Sequence, residues 1–317
     1  MFFENKKQCI WGLLFIFLFP QLDAEKFIAM GDSHAGRGGS FKPGYAQYMQ
    51  GLKEQYSDIN FAILPGDLTD SGFINSRIET LGGFGEETLE IDGYGQWGKF
   101  STYWINRLLN KNIEVYLCMG NHDMYQDKDQ PITVADMIRW HHEDLNHKST
   151  DRDVAYTFTK GNCHFICGGK YPDEDIMPWV RNYLEGIGTD APVFFYFHYP
   201  LIRSKFDYFR NDFYDMIVPY NVKGIFTGHI YSYTAFWRDR EFKLFGVGGY
   251  HFAVVDFDPD TGNISMPDTK FYGLTNYDGT GVWQEKDFYD PELYLGWVDT
   301  NNQIVSENLA GEFEPAI

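Results

Sequence analysis

Five short apolar runs in this chain each end in residues able to hold a cation or move a proton. Phe27 to Met30 leads into Gly31-Asp32-Ser33-His34, and Phe61 to Leu64 into Pro65-Gly66-Asp67. Val115 to Met119 leads into Gly120-Asn121-His122-Asp123, Val193 to Phe197 into His198-Tyr199-Pro200, and Gly224 to Phe226 into Thr227-Gly228-His229. Carboxylate, imidazole and amide donors together suit Mn, Fe or Zn better than Ca alone. Asp32 and His34 stand two apart, so at a strand end they point to one side. A shared carboxylate such as Asp67 can bridge two ions ~3.5–4 Å apart, with a hydroxide between them. One Asp-x-His means little, because buried Asp and His also satisfy backbone groups. Five clusters in order, each after an apolar run, need a common cause.

The elements that must position these residues follow from the same runs. The runs read as strands, and most precede a turn and a helical pattern. Helices are expected at Tyr45 to Tyr56, Phe100 to Asn110, Thr133 to Leu145, Trp179 to Glu185 and Phe213 to Val218, and further strands at Ala155 to Thr159 and Cys163 to Cys167. From Glu241 the pattern turns to strands alone, with Asp258-Pro-Asp-Thr-Gly-Asn263 as a hairpin turn. Alternating strands and helices followed by a strand-only half predict an α/β protein with two sheets packed together. In open α/β sheets ligands gather beyond the carboxyl ends of strands, so all five clusters are expected on one rim. Residues 71–98, rich in Gly and Glu, read as a loop insertion, and residues 278–317 as a polar C-terminal extension over the surface. No repeat or linker divides residues 25–317, which are expected as a single domain.

The chain has 317 residues, 44 % hydrophobic and 22 % charged, which excludes intrinsic disorder and fits a globular protein. A formal charge of −19 disfavours a nucleic-acid polymer or an anionic membrane as partner. A phosphate-bearing ligand therefore needs a local source of positive charge, which two divalent ions supply. Residues 1–24 read as a signal peptide: Lys6 and Lys7, a short apolar run from Cys9 to Phe19, then Pro20 and a small Ala24. The run is too short for a stable membrane span, so the mature chain is expected to be secreted or periplasmic. Cys118, Cys163 and Cys167 read as buried free thiols, since Cys163 and Cys167 lie ~13 Å apart along one strand.

The five motifs resemble those of the calcineurin-like metallophosphoesterase family, from Asp32 to about Gly249. His198-Tyr199-Pro200 is similar to purple acid phosphatases, and Gly66-Asp67-Leu68-Thr69-Asp70-Ser71-Gly72 to the cyclic-nucleotide-phosphodiesterase-like branch. The resemblance implies a four-layer αββα sandwich of two mixed sheets flanked by helices. It implies a dinuclear centre of two divalent or mixed-valence ions (Fe, Mn or Zn) that hydrolyses a small phosphate ester by attack of a metal-bound hydroxide. Carried over by motif, Asp32 and His34 bind the first metal, Asp67 bridges, and Asn121, His198 and His229 bind the second. His122 is the acid for the leaving group and Asp123 orients it. The family's last motif, Gly-His-x-His, here reads Gly228-His229-Ile230-Tyr231, which removes one imidazole from the first metal. That departure keeps a second expectation in play, a degenerate scaffold that acts by binding.

Other polar clusters carry blander expectations. His141, His142, Glu143, Asp144 and His147 read as a solvated last helical turn. His251 reads as satisfied packing, and Arg37 as either a substrate contact or a surface residue.

Overall fold

The computed structural model describes residues 24–35, 51–72, 95–125, 132–150, 153–200, 207–229, 233–237, 243–249, 251–274, 283–286, 294–298 and 304–305. Residues 1–23 of the leader-like segment, residues 45–50 of the helix expected at Tyr45 to Tyr56, Arg37, Tyr231 and most of the 71–98 insertion lie outside them, while residues 51–55 of that helix are helical. The strands, in chain order, are β1 (Glu25–Ala29), β2 (Ile59–Leu64), β3 (Glu114–Leu117), β4 (His147–Ser149), β5 (Val154–Lys160), β6 (Cys163–Cys167), β7 (Pro192–Phe197), β8 (Asn221–Thr227), β9 (Tyr233–Trp237), β10 (Lys243–Gly246), β11 (His251–Phe257), β12 (Lys270–Leu274), β13 (Trp283–Lys286), β14 (Tyr294–Val298) and β15 (Ile304–Val305).

Two mixed sheets result. One has six strands in the order β13-β12-β11-β1-β2-β3, and the other nine in the order β15-β14-β9-β10-β8-β7-β6-β5-β4. β1 runs parallel to β2 and β2 to β3, while β11 pairs antiparallel with β1. In the second sheet β6, β7, β8 and β10 are mutually parallel. The five motifs follow β1, β2, β3, β7 and β8, all from these parallel sets, and this puts their carboxyl ends on one rim.

Phenylalanines fasten the sheets face to face. Phe27 of β1 stacks on Phe61 of β2 at 5.0 Å and meets Phe165 of β6 and Phe226 of β8 edge-on at 5.7 and 5.4 Å. β7 is buried along its whole length, so its residues form a continuous apolar run. Its side chains still alternate: Phe194 and Tyr196 enter the core between the sheets, while Val193, Phe195 and Phe197 face a second cluster. That second cluster holds Val180 and Leu184 of the helix Met177–Ile187 and Phe213 and Ile217 of the helix Asp207–Ile217. On the six-stranded side, the helix Gly95–Phe100 continues through a π-helical turn, Ser101–Ile105, into Asn106–Leu109 and buries Trp97, Phe100, Trp104 and Leu108. The fold is the four-layer α/β sandwich expected from the motifs.

The chain differs from the reading of its sequence in three places. Residues 95–98 of the expected loop insertion are helical. The C-terminal extension is woven in rather than laid over the surface: β13 edges the first sheet, and β14 with β15 edges the second. Finally, His142 is 7 % exposed rather than solvated, and its Nε2 accepts the N–H of Leu117 at 3.1 Å. The helix Val134–His141, started by a Thr133–Asp136 capping box, delivers it there. Next to it, His141 Nε2 lies 3.0 Å from the Val115 carbonyl. Both rings satisfy the backbone of β3, which alternation in the sequence does not reveal. The three cysteines outside the leader are free and buried, as expected.

Candidate metal centre

The first two motif loops run side by side past the ends of their strands. The N–H groups of Asp32, His34 and Ala35 donate to the carbonyls of Gly66, Asp67 and Leu68 at 2.9, 2.9 and 3.0 Å. This extends the β1–β2 pairing while bending each backbone sharply. Asp32, His34, Asp67 and His229 all have left-handed backbone, with φ of 58°, 44°, 50° and 65°. Non-glycine residues adopt that conformation rarely, and at a cost of order 1–3 kcal/mol each. Strain concentrated on candidate ligands is what a geometrically demanding site requires. Gly66, at φ 83°, lets the chain pass under His198: a Cβ there would lie 2.6 Å from His198 Nδ1.

The expected site residues converge. Asp67 is central. Its Oδ1 accepts the His122 N–H at 2.8 Å, and its Oδ2 lies 3.2 Å from His198 Nε2 and 3.7 Å from His34 Nε2. His34 Nε2 is also 3.8 Å from Asp32 Oδ1. The Asp32 carboxylate in turn accepts the backbone N–H of His229, at 3.1 and 2.8 Å, which ties the fifth motif to the first. Two groups offer ligand atoms within 4.8 Å of one another, Asp32–His34–Asp67 and Asp67–His198–His229, and Asp67 belongs to both. A third, His34–Asp70–His122, adds a residue that had no expected role. The spacing Asp67-Leu-Thr-Asp70 was the available signal, but only the turn of this loop brings Asp70 back to the site.

The donors are arranged for a cation. His198 Nδ1 lies 3.0 Å from the Pro65 carbonyl, which fixes the ring and assigns Nδ1 a proton. Its Nε2 then points at two acceptors, Asn121 Oδ1 at 3.0 Å and Asp67 Oδ2 at 3.2 Å. The Asn121 amide nitrogen donates to the Tyr125 hydroxyl at 2.9 Å, so its oxygen is the atom turned inward. Three electron-pair donors therefore face one another, and only a positive charge reconciles them. In the protein alone a proton fills that place. Burial disfavours the charged ring, but Asp67 and Asp32 outweigh it and raise His198 to about 9. Burial likewise opposes ionisation of Asp67, yet His198, His34 and His122 bring it down to about 2. For Asp32 burial prevails over His198, and the carboxyl rises to about 7. The residues present fit a two-cation centre.

Asp123 is buried beneath the site rather than beside the His122 ring. Its carboxylate accepts the N–H groups of Leu68, Thr69 and Gly120 and the Thr69 hydroxyl, at 2.8–3.2 Å. It joins the second motif loop to the third. The orienting contact expected of Asp123 is made instead by Asp70, whose carbonyl lies 2.6 Å from His122 Nδ1 and whose Oδ1 lies 3.8 Å from it.

The chain is similar to several known proteins. The chain is 22 % identical over 247 residues to purple acid phosphatase 23 of Arabidopsis thaliana, covering 68 % of this chain and 49 % of that protein. It thus spans about half the length of that relative. Among solved structures it is similar to a dimetal phosphatase from Danio rerio, at 11 % identity and a TM-score of 0.45 over 79 % of this chain and 92 % of that one. It is also similar to GAP50, the anchor in the inner membrane complex of Plasmodium, at 12 % identity and a TM-score of 0.45 over 83 % and 89 %. Residues 25–233, well over half of the chain, match the calcineurin-like phosphoesterase profile. That span contains every side chain of the centre described above, and the chain belongs to the calcineurin-like phosphoesterase family.

Proposed function

We infer that this chain is an exported, metal-dependent phosphoesterase acting on small phosphate mono- or diesters. The observation that carries the reading is the meeting of Asp67 Oδ2, Asn121 Oδ1 and His198 Nε2 around one point. When bound, two divalent ions (Fe, Mn or Zn) would supply Lewis acidity at the phosphoryl oxygens and a water acidic enough to ionise near neutral pH. Asp32, His34 and Asp67 would hold one ion; Asp67, Asn121, His198 and His229 would hold the other. His122 keeps Nδ1 on the Asp70 carbonyl, so Nε2 is the nitrogen left to hand a proton to the leaving oxygen. At the bottom of the site Asp32, Asp67 and His198 are at most 4 % exposed, and this exclusion of water strengthens every charge interaction there.

Residues 1–24 support export by their leader pattern. Among the described residues no helix is long and apolar enough to cross a membrane. Tyr231, standing where the family motif has histidine, favours a second reading in which the scaffold binds without turnover. Metal analysis together with assay on p-nitrophenyl phosphate and bis-p-nitrophenyl phosphate decides between them. Turnover that depends on added Mn, Fe or Zn is the expected result, and the ratio of the two rates assigns monoester or diester. Loaded protein inert toward both esters would overturn the catalytic reading.

A further inference from the structure

Past the cation-binding side chains, the rim carries aromatic rings that end in an ammonium. The Tyr199 ring lies 4.3 Å from the ring of His229, and the Tyr171 ring 5.7 Å from that of Tyr199. Lys170 Nζ sits over Tyr171, 5.2 Å from its centroid. On the His122 flank, Tyr125 packs its ring 4.7 Å from that imidazole and is nevertheless 58 % exposed. Lys170 Nζ also touches Met124 Sδ at 3.6 Å, and its charge acts on the buried carboxylate of Asp153, which accepts the Lys170 main-chain N–H at 2.8 Å. In a chain of charge −19, this half-buried ammonium is a local source of positive charge beside the site. Phosphate at the cation cluster would leave the rest of the ester lying along this run: first ring faces, then a positive charge. Ring faces favour a flat π-system over an aliphatic group of equal size, and a lysine ammonium favours an anion.

We propose that Tyr199, Tyr171 and Lys170, with Tyr125 on the His122 flank, form the leaving-group subsite and select esters whose leaving group is a planar aromatic ring bearing a second anionic group. The proposal rests on the phosphoesterase reading above and narrows its substrate class.

Benzyl phosphate and cyclohexylmethyl phosphate test it, because both release a primary alcohol and they differ chiefly in the flatness of the ring. The metal-loaded protein should prefer the benzyl ester by roughly 3–10-fold in kcat/KM. A 4-carboxybenzyl ester should gain a further factor of about 3–10 that fades with salt. Tyr171→Leu should bring the first ratio to within about twofold, and Lys170→Met should remove the second gain while leaving the first ratio. Ratios near one in the unaltered protein, or ratios that survive these substitutions, would overturn the subsite. If neither ester is hydrolysed, the catalytic reading falls, and binding of benzylphosphonate against cyclohexylmethylphosphonate decides the subsite. Tighter benzyl binding that disappears in Tyr171→Leu sustains it, and equal affinities refute it.

Discussion

At the start of β1, Lys26 sits between Asp58 and Asp256, 2.6 Å from an oxygen of each. Just past the other end of the same strand, Asp32, Asp67 and Asp123 are buried together, and no lysine or arginine among the described residues pairs with them. The backbone differs in the same sense. At Lys26 the pairing with β2 shifts register toward Phe27 but no residue takes positive φ, whereas four of the five described non-glycine residues with positive φ are candidate ligands at the rim. One end of the strand sets its carboxylates against an ammonium and carries no left-handed backbone. The other holds negative charge and strain that imidazoles offset only in part. Charge left open in this way is a binding capacity, and the contrast between the two ends can be tested by removing one group at a time.

The largest effect is expected from Asp67→Asn, since Asp67 belongs to both candidate ligand groups. Metal content by elemental analysis and turnover should both fall to background. Loading that persists would show that the two groups do not share this carboxylate. His122→Ala should lower turnover by ~10²–10⁴-fold with the metals retained, and metal loss would move His122 into the ligand set.

A smaller effect separates His122 from His142, a second imidazole behind the same rim. Burial, reinforced by His141, pushes His142 down to about 2. Its folded value lies below the free value, so the unfolded chain takes up a proton first. Its contribution is full above about pH 6.5 and declines as pH falls from there toward 2, with a slope of up to ~1.4 kcal/mol per unit. Denaturant melts of His142→Gln, which keeps an acceptor for Leu117, should show a shallower acid limb than the parent. An unchanged limb would place the acid sensitivity elsewhere. Smallest of all, Lys26→Met should cost about 1 kcal/mol of stability by denaturant titration and leave turnover as it was. Lost turnover would mean that the two ends of β1 are coupled.

Much of the centre was legible in the sequence because its ligands follow apolar runs directly, and a run's end fixes where its next residues go. Asp32, His34, Asp67, Asn121, His122, His198 and His229 were expected on one rim in this way, and the structure brings them together there. Asp123 was found, but its contact was misassigned: adjacency to His122 in the chain says nothing about which way two neighbouring side chains turn. Asp70 and Thr69 went unassigned because their part depends on how the 65–72 loop folds back. The two-sheet architecture followed from the change of pattern near Glu241, while β13, β14 and β15 escaped notice because strands of two to five residues set among polar and Gly-bearing sequence give too short a signal to separate from a surface segment.

The main chain of Gly31 donates to the carbonyl of Val247 at 2.6 Å, and β1 is flanked on one side by β11. During synthesis the first motif leaves the ribosome early, but its anchor is made more than two hundred residues later. The earliest segment of the centre is therefore among the last to be fixed. Nascent chains halted before β11 would carry every one of the candidate ligand residues and still lack a formed cation site, so metal acquisition belongs to the final stage of folding.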